Sequence, residues 1–369
     1  MVDLKSQYQK IKPEVDAAIA DVITNAQFIQ GPAVKNFCTA LENYLNVKHV
    51  IPCANGTDAL QMALMALNLQ PGDEVISTSF TYFATVEVIA LLKLNAVFVD
   101  VYPDTFTMNI EELEKAITPK TKAIVPVHLY GQCANMEAIM ALANKHNIPV
   151  IEDTAQAIGA DYFFRTGTSA KAGTIGMMGC TSFFPSKNLG GYGDGGAMFT
   201  NDGELASKLR MVANHGQSVR YYHDMIGCNS RLDSLQAAVL GVKLPHLDEY
   251  ITLRQKAAIY YDNAFANHPN IAIPARANWS NHVFHQYTLQ IEGDRNGLQK
   301  HLELKGIPSM LHYPVPCHRQ KSFEGKSRIV GDLKVTNWLT DRVISLPMHT
   351  ELDEEQLQFI TSSVLEFFT

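Results

Sequence analysis

The sequence predicts an α/β protein: a mostly parallel seven-stranded sheet with helices on both faces, joined to a smaller C-terminal α/β domain. Three observations lead there. Short runs rich in Val and Ile alternate with helical patterns through the first two hundred or so residues. Those runs are largely continuous rather than alternating in polarity, as in strands buried on both faces. After residue 230 the alternation gives way to one long helical pattern and then a mixed, proline-rich remainder. A chain of 369 residues has room for roughly two domains, here expected at 1–245 and 246–369.

Strands are expected at KHVIPCA (48–54), DEVISTS (73–79), AVFVDV (96–101), KAIVPVHL (122–129), IPVIED (148–153) and CTSFF (180–184). Between them ALQMALMALNL (59–69), ATVEVIALLKL (84–94) and NMEAIMALANKH (135–146) carry helical patterns. GGAMFT (195–200) adds a seventh strand, the odd one of the sheet. The long pattern that starts at RLDSLQAAVLGVKL contains Pro245, which must kink or end the helix. FHQYTLQIE supplies a strand to the smaller domain.

Composition excludes several classes. Hydrophobic residues make up 46% and charged residues 18%, enough apolar surface to bury a sizeable core. The net charge of -7 argues against a nucleic-acid or anionic-membrane surface. Six cysteines, at 38, 53, 133, 180, 228 and 317, form no CxxC pair, so neither a zinc ribbon nor a disulfide framework is expected. His312, Cys317 and His318 have no companion cluster, and no metal site is expected. The N-terminus lacks a signal-peptide core, and no apolar stretch reaches membrane-span length; a cytoplasmic protein is expected.

Four stretches can carry chemistry. Asn55-Gly56-Thr57-Asp58 leads a strand into a helix. Free N–H groups and the Thr57 hydroxyl there suit a phosphate, although Thr57 or Asp58 also serves as a plain cap. Glu152 and Asp153 end a buried strand, where ligands bind in open α/β sheets. Adjacent strand residues face opposite ways, so one acid facing a cation fits better than a catalytic pair, and a helix cap at Thr154 is the plain alternative. Lys187 stands alone in the uncharged, aromatic and Gly-rich run 181–193. Desolvation there lowers an amine's pKa and makes it nucleophilic; an exposed loop lysine is equally compatible with the composition. Gly191, Gly193 and Gly196 fit GxGxxG, but they lead into a strand, which rejects a dinucleotide fingerprint. Finally, Asn229 or Ser230 is placed to cap the helix that follows.

Together these stretches resemble the nucleotide-sugar aminotransferases, a pyridoxal-phosphate family of aspartate-aminotransferase fold (fold type I). CANGTDALQMAL, FTYFAT, YGQCA, IEDTAQAIGA, CTSFFPSKNLGGYGDGGA, NSRLDSLQAA and HYPVP fall in family order almost end to end. HGQSVRYYH and LHYPVP resemble the subgroup that aminates UDP-2-acetamido-2-deoxy-3-oxo-glucuronate, on the route to surface polysaccharides such as O-antigen. The segment from Phe163 to Met178 departs from the family's short turn.

The resemblance implies roles residue by residue. Lys187 corresponds to the lysine that bonds the cofactor covalently, and Asp153 to the acid facing the pyridine nitrogen. Gln156 lies beside the ring oxygen, and Tyr82 stacks on the ring face. Gly56, Thr57 and Ser182 correspond to phosphate contacts, and Asn229 to one arriving from the partner of a homodimer. Arg231, His312 and Tyr313 are expected to meet the substrate, with Arg231 reading a sugar carboxylate. L-Glutamate is the implied donor and a nucleotide-linked 3-keto sugar the acceptor. The alternatives are a dTDP-3-keto-6-deoxyhexose aminotransferase and a cofactor-binding regulator without turnover. A dehydratase of this fold lacks the lysine that Lys187 supplies.

Overall fold

The computed structural model describes all residues from Met1 to Thr369. Seven strands build the main sheet: β1 (His49–Cys53), β2 (Glu74–Thr78), β3 (Asn95–Val99), β4 (Thr121–Val125), β5 (Ile151–Asp153), β6 (Met178–Ser182) and β7 (Gly196–Thr200). They lie in two hydrogen-bonded groups, β1-β7-β6-β5 and β4-β2-β3. Parallel bridges Ile124–Val150 and Val127–Asp153 join the groups into one sheet. Only β7 runs antiparallel to its neighbours, so the expected odd strand is the one that GGAMFT forms. An eighth, short strand, Ser327–Ile329, pairs in parallel with the edge of β3. The sequence reading missed it, because three residues carry no measurable periodicity.

Strand side chains divide cleanly between two apolar layers. Val97 and Val99 of β3 and Phe199 of β7 face one layer, under helices Pro32–Leu45, Met136–His146 and Ser234–Lys243. Ala96, Phe98 and Met198 face the other, under helices Gly56–Ala66, Ala84–Leu91 and Gly203–Ala213. Burial on both faces is why these strands read as continuous apolar runs. Helix starts are fixed by polar caps: Asn109, Asn135 and Asp202 each accept from a first-turn amide.

The long helical pattern is interrupted as expected. Helix Ser234–Lys243 ends in a single 3-10 turn carrying Pro245, and helix Leu247–Phe265 follows. That second helix spans two cores. Leu247 and Ile251 pack with the large sheet, whereas Ala257, Ala258, Tyr261 and Phe265 pack on Tyr287–Ile291 and Val343–Leu346. The departing segment 163–178 starts in a hairpin, Asp161–Phe163 with Ser169–Lys171. Its far end is tied down by Glu152, which accepts from the amides of Gly173, Ile175 and Gly176.

Candidate active site

Four strand ends converge. β5 ends in Asp153, β6 in Ser182, β1 leads to Gly56, and β2 leads to the turn bearing Tyr82. This is the carboxyl edge of the sheet, where loops present side chains against a rigid scaffold.

Glu152 and Asp153 point apart, as strand alternation requires. Glu152 turns to His128, 2.8 Å away, and Asp153 turns into the site. No helix starts at Thr154; a series of turns follows, so the plain capping alternative falls. Asp153 is 5% exposed. The Thr85 hydroxyl donates to its Oδ2 at 2.8 Å and the Ala155 N–H to its Oδ1 at 3.1 Å. Burial raises its pKa, opposed by these two donors and by the Lys187 charge.

Lys187 sits on the turn after β6, its N–H donating to the Phe184 carbonyl at 2.8 Å. Burial lowers its amine to about 8, opposed by the Asp153 carboxylate. Of the two readings the sequence left open, the structure therefore supports the desolvated amine. Two histidines lie close enough to feel its charge. Burial first, and the Lys187 charge second, lower His312 to about 4 and push His285 well down. Both rings are neutral near pH 7.

One end of the site suits an anion. Asn55, not Thr57 or Asp58, caps helix Gly56–Ala66, its Oδ1 accepting from the Asp58 N–H at 2.8 Å. The amides of Gly56 and Thr57 are left without a protein acceptor. Ser182 comes so near that a Cβ on Gly56 would stand 2.7 Å from its Cβ. Glycine is thus required for the backbone to lie open beside the serine.

On the other side a polar chain closes the site. The Tyr130 N–H donates to Gln156 Oε1 at 2.7 Å, and Gln156 Nε2 donates to the Tyr313 hydroxyl at 2.9 Å. The Tyr130 hydroxyl reaches the His312 carbonyl, and His312 Nδ1 lies 2.9 Å from Ser345 Oγ. Tyr130 adopts a left-handed backbone (φ 58), a conformation these contacts hold in place. Tyr82 is 60% exposed, with its ring centroid 6.1 Å from that of Tyr313.

Lys187, Asp153, Gln156, His312 and Tyr313 therefore assemble within one chain. Asn229 and Arg231 do not join them. Asn229 is exposed. Arg231 lines a separate cleft of about 540 Å³ with Pro52, Arg210 and Asn214, donating to Asn214 Oδ1 at 2.9 Å. Its expected place near His312 and Tyr313 is not met within the protomer. Ser230 does not cap the following helix. It accepts from the Ala54 N–H at 3.0 Å and donates to Asp58 at 2.6 Å. Thr85 and His285 were missed in the sequence. Thr85 had a signal, since it follows Thr81 by one helical turn in FTYFAT and the two hydroxyls lie 3.2 Å apart. His285 had none.

The residues fit pyridoxal phosphate. A buried carboxylate with no ion-pair partner awaits a ring nitrogen, an amine of lowered pKa awaits an aldehyde, free amides await a phosphate, and an exposed aromatic awaits a ring face.

Comparison with known proteins agrees with this geometry. The sequence profile of the DegT/DnrJ/EryC1/StrS aminotransferase family matches residues 9–365. The UDP-2-acetamido-2-deoxy-3-oxo-D-glucuronate aminotransferase of Pseudomonas aeruginosa is 46% identical over 98% of this chain and 98% of its own length. A pleiotropic regulatory protein of Geobacillus stearothermophilus is 44% identical over 100% of this chain and 98% of its own. Among solved structures, S. venezuelae DesV in complex with a ketimine intermediate superposes with a TM-score of 0.94 at 39% identity, covering 99% of this chain and 97% of that one. With its site built for pyridoxal 5'-phosphate, the cofactor of such enzymes, the chain is a sugar aminotransferase and belongs to the DegT/DnrJ/EryC1/StrS aminotransferase family.

Proposed function

We propose that the protein transfers the amino group of L-glutamate to C3 of UDP-2-acetamido-2-deoxy-3-oxo-glucuronate. The products are the 3-amino sugar nucleotide and 2-oxoglutarate, in the cytoplasmic supply of surface-polysaccharide precursors. The observation that carries this reading is Lys187 facing Asp153 in a chain 46% identical to a relative named for that acceptor.

Bound pyridoxal phosphate supplies an electron sink and carries nitrogen between the two half-reactions. With the cofactor bound, Lys187 would take up and return the proton at the amino-bearing carbon. An amine lowered to about 8 exchanges protons in both directions near neutral pH. Asp153 holds a proton on the ring nitrogen, with Thr85 and Ala155 aiming its two oxygens. The Gly56 and Thr57 amides and Ser182 would hold the phosphate, with Gln156 and Tyr82 as the residues that would orient and cover the ring. The same lysine and acid weigh against a regulator without turnover, the reading that the Geobacillus protein's name suggests.

The active unit in this reading is a homodimer. Its support is an apolar surface around the exposed Asn229. Ile29 bridges to Asp233, and Phe28, Ile29, Tyr221, Tyr222 and Ile226 are all exposed in the single chain. In the dimer Asn229 and Arg231 serve the neighbour's site. Mixing inactive Lys187→Ala and inactive Asn229→Ala subunits is expected to restore part of the activity, through hybrid sites wild-type on both sides. No recovery after confirmed subunit exchange contradicts shared sites.

Arg231 is assigned to the acceptor carboxylate, whose two oxygens a guanidinium meets in parallel. Arg231→Ala is expected to cut kcat/KM for the uronate by roughly 10- to 150-fold, as for one charge-assisted bond of ~1.5–3 kcal/mol. A 6-deoxy acceptor should lose far less. Because glutamate also carries carboxylates, its half-reaction is measured separately. An equal loss on both acceptors removes Arg231 from C6 recognition.

A further inference from the structure

The glycine-rich turn that carries Lys187 rests on helix Ser234–Lys243, and two side chains of that helix hold it. Gln236 Oε1 accepts from the Tyr192 N–H at 2.7 Å. Lys243 Nζ donates to the Gly190 carbonyl at 2.6 Å and lies 5.3 Å from the centre of the Tyr192 ring. The glycines let the helix come this close: a Cβ on Gly191 or Gly193 would stand 2.8 Å from the Gln236 amide. Asn188 Nδ2 also donates to the Val283 carbonyl at 2.8 Å. The turn is thus tied both to helix Ser234–Lys243 and to Val283.

Lys243 is an odd choice for a purely structural anchor. It is 1% exposed, and the only charge it feels is another cation, Arg254. Burial lowers its amine to about 8. With the folded value below the unfolded one, the penalty is full at pH below about 8 and fades as pH rises toward the ordinary lysine range. A methionine of similar length would pack there without that penalty but would leave the Gly190 carbonyl without its donor. What a lysine supplies at this position, in exchange for that penalty, is the bond to the Gly190 carbonyl.

We propose that Lys243 is a positioning residue for the transamination: it pins the Gly190 carbonyl and so fixes the turn that aims the Lys187 amine, with Gln236 as its second point of attachment. The inference rests on Lys187 as the cofactor lysine. It accounts for the Gly190–Gly193 run that the phosphate and ring contacts leave unexplained. A loosened turn lets water reach the Lys187 nitrogen, which favours its protonated form, and displaces it from the reacting carbon, an error for which about 10- to 100-fold in rate is typical.

The test is Lys243→Met in the holoenzyme, read in three ways. Expected are a thermal midpoint close to the parent's, relief of the buried charge offsetting the lost bond to Gly190, and a kcat reduced at least about 10-fold with KM for glutamate little changed. The substrate-free visible band of the lysine-linked cofactor should titrate at a higher pH. A folded Lys243→Met protein with parental kcat and parental band titration overturns the proposal. Should that variant fail to fold, Gln236→Ala, which releases Tyr192, must move the band and kcat in the same directions. An unchanged band and kcat there overturn it equally. Failure of the underlying reading looks different, since Lys187→Ala would then keep both the band and the turnover.

Discussion

Lys187→Ala is expected to abolish both the visible band of the bound cofactor and the release of 2-oxoglutarate from glutamate. No other group in the site can replace it. The neighbouring His285 is buried and His312 half-buried, both rings are held neutral near pH 7, and His312 is tied to Ser345. Loss of a positioned general base alone costs roughly 10²–10⁴-fold, and here the covalent attachment is lost as well. The fold should survive, because the charged form of Lys187 is disfavoured by burial in the native protein. Absorbance, borohydride fixation of the cofactor to the chain and a glutamate half-reaction check the expectation. A variant with normal turnover removes the assignment.

Asp153→Asn should leave the protein folded and cofactor-loaded while kcat falls by roughly 10²-fold or more, within the range for removing a positioned proton-holding group. The amide keeps the shape and still accepts from Thr85 or Ala155 at one oxygen. It carries no charge to hold a proton on the ring nitrogen. The loss lies in the transition state, so kcat and kcat/KM should fall together. A change confined to KM would make Asp153 a structural group and return attention to Glu152. That residue, with four donors on its carboxylate, looks wholly engaged in holding His128 and the 173–176 loop.

The parts of this site that follow from short-range chemistry were legible in the sequence. A strand that ends in two acids shows that they face opposite ways, and the lone Lys187 among glycines and aromatics marked its own turn. Continuous Val and Ile runs gave the buried sheet, down to the odd strand at Gly196–Thr200. What depends on distant pairing was not legible. The Tyr130–Gln156–Tyr313 chain joins residues up to 183 positions apart, and no local pattern couples them. Strand Ser327–Ile329 exists only because the edge of β3 accepts it. The cap on helix Gly56–Ala66 was misplaced because Thr57 and Asp58 are good cap residues too, and backbone geometry alone selected Asn55. Arg231 was placed by sequence order near Asn229. Proximity in the chain does not say which side of the sheet a side chain takes, and in the protomer it faces its own cleft.

The proposed reaction is amino transfer from glutamate to C3 of a nucleotide-linked keto-uronate. Its most direct test supplies the wild-type holoenzyme with glutamate labelled at nitrogen and with UDP-2-acetamido-2-deoxy-3-oxo-glucuronate or dTDP-3-keto-6-deoxyhexose, and identifies the products by mass and fragmentation. Labelled nitrogen is expected at C3 of the UDP-uronate, with stoichiometric 2-oxoglutarate, and neither product with Lys187→Ala. Label appearing on the dTDP sugar in preference to the uronate, or no amino sugar from either acceptor with the cofactor in place, would contradict it.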